Sequence, residues 1–136
     1  MRSKILLATG LASLALSGCV AGRRCLFIEP LKSTLTGRLH FRDFSAPDGI
    51  DHVPVLGLDQ TAYVYAPAHS HSCLPVNDVQ LVGWSEFPPD LAENAHIVVN
   101  GSLFEAASAH QHTGFLMNVN TIVPVGGIGR PLPDAH

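Results

Sequence analysis

Charge is scarce in this chain. Asp, Glu, Lys and Arg make up 14% of its 136 residues, and only eight are Lys or Arg. The net charge is −3 with histidine neutral, and no basic stripe of the kind nucleic-acid binders carry is present. A nucleic-acid partner is therefore not expected. Aromatic residues amount to 7%, with a single tryptophan. No apolar run is long enough to cross a bilayer as a helix, and no repeat or low-complexity block occurs. What remains is a chain with 46% hydrophobic residues, long enough for one domain and too short for two.

The start of the chain gives an address. Arg2 and Lys4 form a short basic region, and Ile5 to Leu16 form an apolar region too short to span a membrane. That pattern is a secretory signal. Its end, Leu16-Ser17-Gly18-Cys19, resembles the lipobox of bacterial lipoproteins, which implies cleavage before Cys19 and acylation of its thiol. A doubly or triply acylated Cys19 supplies the two or more chains that stable anchoring requires. Val20 follows, with no aspartate to retain the protein in the inner membrane. The expected location is thus the outer membrane, lipid-anchored and facing the periplasm. Residues 1–18 are then the signal and 19–24 a short tether. Without Arg2 and Lys4 the remaining chain is two charges more negative.

The three cysteines are an odd count for an exported protein. With Cys19 taken by lipid, Cys25 and Cys73 remain to pair in an oxidising compartment. The bridge closes a loop worth roughly 4 kcal/mol in the chain-entropy model, less any strain. The rival reading, two thiols in a metal site, is disfavoured in the periplasm.

Between residues 25 and 123 the pattern has period two, the mark of half-buried strands. In STLTGRLHF, Leu35, Gly37, Leu39 and Phe41 share one face and Thr36, Arg38, His40 and Arg42 the other. VLGLDQTAYVY, DVQLVGW, HIVVNGSLFEA and TGFLMNVNTIV give four further strands, the first with a kink at Asp59-Gln60. A short helix is expected over Pro88–Ala95, between the third and fourth strands. Five strands with that helix follow the order of an OB-fold barrel, an all-β architecture. A five-stranded sandwich and other small barrels are the alternatives. Gly37 in TGRL and Gly101 in NGSL fit the bends that closure of a small barrel needs. The tail, residues 124–136, is rich in Gly and Pro and is expected to be flexible.

These pieces resemble a bacterial exported and lipoprotein family, domain of unknown function 4431. The resemblance rests on Cys25-Leu26, Glu29-Pro30, LTGRL, PVLGLDQ, Cys73-Leu74-Pro75 and VQLV. Above all it rests on VNGSLFEAASAHQHTGFLMNV, Val99 to Val119. Two departures stand out. The family turn commonly reads Gly-His-His-His-Thr, whereas here Gln111 replaces the middle histidine. The first long loop, Phe44 to His52, lacks the usual Gly-Pro-Pro. The resemblance implies the Cys25–Cys73 pairing as well, and it implies no activity.

Function must then be sought in the Ala106–Thr113 connection and the Phe44–His52 loop, which ligand-binding OB-folds commonly use together. In an extended backbone His110 and His112 point to one side, ~7 Å apart. They could begin a zinc or copper site, but a catalytic zinc wants three protein ligands and a structural one four. His52, His69, His71 and Glu105 are candidates for the rest. The plainer account makes His110, His112 and Thr113 polar turn residues, with Gln111 facing water. Asp43, Asp48, Asp51 and Asp59 match no calcium loop and read as a solvated acidic stretch. No acid, base and nucleophile fall together, so an enzyme is not expected. The expected function is a non-enzymatic binding module for a ligand, envelope protein or glycan. Its contact residues would be Phe44, Asp48, Trp84, His110, Gln111, His112 and Thr113. The alternative is a periplasmic metal-binding protein using His110 and His112.

Overall fold

The computed structural model describes residues 24–68, 71–83, 91–126 and 130–131. The signal, Cys19, most of the tether, His69 and Trp84 lie outside the described residues.

The chain runs β1 (Cys25–Leu26), β2 (Lys32–Ala46), β3 (Gly49–Ala66), β4 (Ser72–Val82), β5 (His96–Glu105), β6 (Phe115–Pro124) and β7 (Arg130–Pro131). Five of them close a ring. β2 pairs antiparallel with β3 and β5, and β5 with β6. β6 runs parallel to β4, and β4 returns antiparallel to β3. This is the all-β, OB-like barrel that the strand pattern predicts, with β2 to β6 as its five strands. The expected kink appears as a register shift between Gly57 and Ala62 of β3.

Alternation decides what fills the barrel. Leu35, Leu39, Leu56, Val64, Val79, Leu81, Ile97, Val99, Leu103 and Met117 belong to one buried cluster. Their strand neighbours point outward, yet Val55, Gln80 and Leu116 are also buried, at 0%, 4% and 0% exposure, and stand outside that cluster. They lie side by side, Gln80 pairing with Val55 on one flank and Leu116 on the other. The barrel therefore carries a second, smaller buried layer on its outer surface.

Two glycines let the ring close. A Cβ on Gly37 would lie 2.1 Å from the Gly57 carbonyl oxygen, and one on Gly101 2.2 Å from that of Asn118. Both contacts are with backbone, so neither can be relieved by a rotamer change. Gly101 also stands at the register shift between β5 and β6. Cys25 and Cys73 form a disulfide that ties β1 to the start of β4. β1 lies parallel to β3, Cys25 opposite Tyr63.

Three expectations need correction. Leu91–Ala95, the described part of the expected helix, is a turn. Its backbone serves β2 instead, Asn94 N–H donating to the Leu39 carbonyl and Leu39 N–H to that of Ala95. Asn94 also has φ 68°, a left-handed conformation that ends a helix. Phe44–His52 is not a long loop, because β2 and β3 continue as a hairpin up to the Ala46–Gly49 pair. The tail is not wholly unpaired, since Arg130 and Pro131 pair with Ile122 and Thr121.

Gly101→Ala is expected to destabilise the barrel by about 1–3 kcal/mol, the usual cost of overpacking. Urea denaturation measures it, and an unchanged midpoint would show that the strands can separate at that point.

Candidate functional site

Beyond Phe41 the β2–β3 hairpin outruns the barrel core. Most of its side chains are exposed, Ile50 at 66%. Its outward row on β3 is Asp51, Val53 and Val55, and the facing row on β4 is Gln80 and Val82. The 106–113 turn between β5 and β6 crosses these rows.

Gln80 holds the turn in place. Its side-chain NH2 donates to the His110 carbonyl at 3.1 Å, and its Oε1 accepts the His112 N–H at 2.8 Å. Its own backbone N–H donates to Thr113 Oγ1 at 2.9 Å, and that hydroxyl donates to the Phe115 carbonyl at 2.5 Å. Within the turn, Gln111 Oε1 accepts the N–H groups of Ala107 and Ser108. Gln111 and Thr113 thus help to frame the turn, and Gln111 also lines the groove beside it.

So framed, the turn delivers both imidazoles to one oxygen. Asp51 Oδ2 lies 2.7 Å from His110 Nδ1 and 2.8 Å from His112 Nε2. Phe44 stacks flat on the His112 ring, with centroids 4.5 Å apart and planes within 3°. The His112 side chain is 10% exposed and that of His110 53%. Asp48 Oδ1 stands 3.7 Å from the other His110 nitrogen, Nε2. Of the sequence-predicted contact residues, then, Phe44, Asp48, His110 and His112 meet in one corner. The corner opens onto a groove of about 560 Å³, lined by Ile50, Asp51, Val53, Gln80, Val82 and Ser108 among others.

Two residues at the centre were not singled out from sequence. Asp51 was read among four dispersed acids. Its signal was parity, since it continues the outward row of Val53 and Val55 on a strand taken for a loop. Gln80 gave no signal, because a polar residue between Val79 and Leu81 reads as an ordinary solvent-facing position.

Electrostatics bind the corner together. The hydrogen bonds from His112 and then His110 hold the Asp51 carboxyl below its usual range. Asp51, by hydrogen bond and by charge, raises His110, and the charge of Asp48 adds to this. The other described pairs, His40 with Glu93, His52 with Asp43 and His96 with Asp59, bring one imidazole to one carboxylate. Glu93 is lowered mainly by the Phe41 N–H and secondly by His40, and it pins the 91–95 turn to β2.

No family model and no curated protein matches the chain. Among solved structures it is similar to the small single-stranded DNA-binding protein from Streptomyces coelicolor, at 13% identity and a TM-score of 0.37. The match covers 69% of this chain and 93% of that one. The expectation that nucleic acid is not a partner is corrected by that neighbour, whose name records single-stranded DNA binding. At this TM-score the likeness assigns no ligand to the present chain.

Two outcomes are expected. Gln80→Ala leaves the His110 carbonyl and His112 N–H without partners and should cost about 1–3 kcal/mol, read by chemical denaturation. The Asp51 contribution, from a lowered carboxyl, is present above the ordinary value of 3.8 and fades as pH falls through its folded value. The His110 contribution, from a raised imidazole, is full below 6.5 and is lost as pH rises through its folded value. The thermal-stability gap between wild type and Asp51→Asn should therefore be widest between pH 3.8 and 6.5. A gap that kept widening above neutral pH would contradict the pairing.

Proposed function

We propose that this protein is a non-enzymatic ligand-binding module of the bacterial cell envelope. It is exported by residues 1–18 and anchored by lipid on Cys19 in the outer membrane, facing the periplasm. The observation that carries the binding reading is the convergence of the β2–β3 hairpin and the 106–113 turn on one open groove. In barrels of this architecture, ligands bind on the second and third strands between the loops joining strands one to two and four to five. Here those strands are β3 and β4, and the groove is lined by Asp51, Val53, Gln80 and Val82.

The N-terminal end supports the anchor. Five residues separate Cys19 from Cys25, and β1 lies beside Tyr63, far along β3 from Asp51. Phe27 and Leu31 are 54% and 55% exposed there, beside the exposed Arg24 and Lys32. Apolar side chains flanked by cations suit a membrane–water interface. The groove then opens away from the lipid, towards an envelope protein or glycan.

Radiolabelled palmitate should enter the wild type and not Cys19→Ser. A photo-crosslinking side chain at Ile50, at the groove mouth, should give discrete adducts in cells that the same probe at Val125 does not. Identical smears of neighbours from both positions would refute a specific groove ligand.

A further inference from the structure

The corner holds more than a turn. We propose that Asp51, His110 and His112 form a three-ligand site for a divalent cation of the zinc and copper class. The inference rests on the groove being the binding site, and it names the ligand taken at the groove's inner end.

Geometry carries it. Among the described residues, three other histidines each meet one carboxylate, whereas Asp51 alone receives two imidazoles on a single oxygen. Asp48, Asp51 and His110 each offer one ligand atom, all within 4.8 Å of one another. His112 is not one of that group of three, but its Nε2 lies 2.8 Å from Asp51 Oδ2, the oxygen that also meets His110. Donors around tetrahedral zinc, with bonds of 2.0–2.2 Å, stand roughly 3.3 Å apart. The present separations of 2.7 and 2.8 Å need to open by about half an ångström for a cation to replace the shared protons. His110 is half exposed on a turn and Asp51 lies on a protruding hairpin, so both can give.

The donor set selects the metal. Two neutral imidazoles and one carboxylate suit zinc, copper and nickel, whereas calcium and magnesium want oxygen ligands. His110 would bind through Nδ1 and His112 through Nε2, the nitrogens now facing Asp51. Asp48 cannot share the nitrogen that binds, since it faces Nε2 of His110. That is the place of the outer carboxylate, which fixes the ring and raises its basicity. Gln80, holding the backbone of both histidines, and Phe44, stacked on His112, set the two rings before any cation arrives. Three protein ligands leave a fourth position open, and the groove lies beside it.

The test is titration of the detergent-purified full chain with zinc sulfate and with copper sulfate, against a competing chromogenic chelator. One equivalent should bind, with a dissociation constant tighter than roughly 10 µM, and magnesium should not compete. Asp51→Asn and His110→Ala should each weaken zinc more than Asp48→Asn, whose own effect is roughly tenfold or more. His96→Ala, paired to Asp59 elsewhere, should leave it unchanged. In 15N spectra, zinc should shift Nδ1 of His110 and Nε2 of His112, a signature that a change in turn stability does not produce. Absence of saturable zinc and copper binding, or full retention in both His110→Ala and Asp51→Asn, overturns the site. If the cations fail to bind while Ile50 still crosslinks discretely, the ligand class falls and the groove reading stands. If both fail, both fall.

Discussion

One buried amide organises the functional end of this molecule. Gln80 sits on the outer surface of the barrel with 4% of its surface exposed, flanked by Val55 and Leu116. Its position is costly unless its NH2 and C=O are satisfied. The backbone of the 106–113 turn satisfies both, at His110 and His112. Val55 and Leu116, the strand neighbours of Gln80 on either side, are buried with it. Because the anchors are the backbone groups of the two histidines, their side chains remain available. A side-chain anchor at those positions would have consumed the chemistry that the turn presents.

The barrel was legible because its information is local. Period-two alternation in β2, β5 and β6, the kink in β3 and the echo of TGRL and NGSL all follow from strand geometry. Two misreadings share a cause. Pro47, Asp48 and Gly49 looked like the centre of a long loop, but they only turn a hairpin whose strands continue on either side. Asp51 was thereby detached from Val53 and Val55 and lost its direction. PPDLAENA has helix-forming residues, yet its final turn donates to and accepts from Leu39, 55 and 56 positions away in β2. No local propensity reports such a partner. The histidines were visible as a motif, and their convergence on Asp51 was not, because contacts at a sequence separation of about sixty residues leave no trace in spacing.

The arrangement of charge has a consistent logic. Acids of the hairpin and its surroundings are not left to repel one another, since Asp43, Asp51 and Asp59 each meet histidine. Histidine, with its ordinary pKa near neutrality, makes such pairing conditional in a way lysine would not. In the exposed pairs the contribution is small because water screens it. At Asp51 the situation differs, since two rings compete for one oxygen and one of them is stacked beneath Phe44 in a largely buried place. The proposed divalent cation would take one lone pair from each ring and balance the negative charge of the carboxylate.

The two ends of β3 then divide the work. At one end β1 is held beside Tyr63, with Cys25 bridged to Cys73, so the described chain joins the barrel there at a fixed point. At the other end β3 runs out into the hairpin that carries Asp48 and Asp51. In the proposed anchored form, a pull on the tether would be borne first by the disulfide and the β1–β3 pairing. It would not pass through the Gln80 contacts that shape the corner. A tether attached to the 106–113 turn would instead have loaded the hydrogen bonds between Gln80 and that turn. The placement of the bridge at the opposite end would keep the proposed binding geometry independent of the proposed anchor.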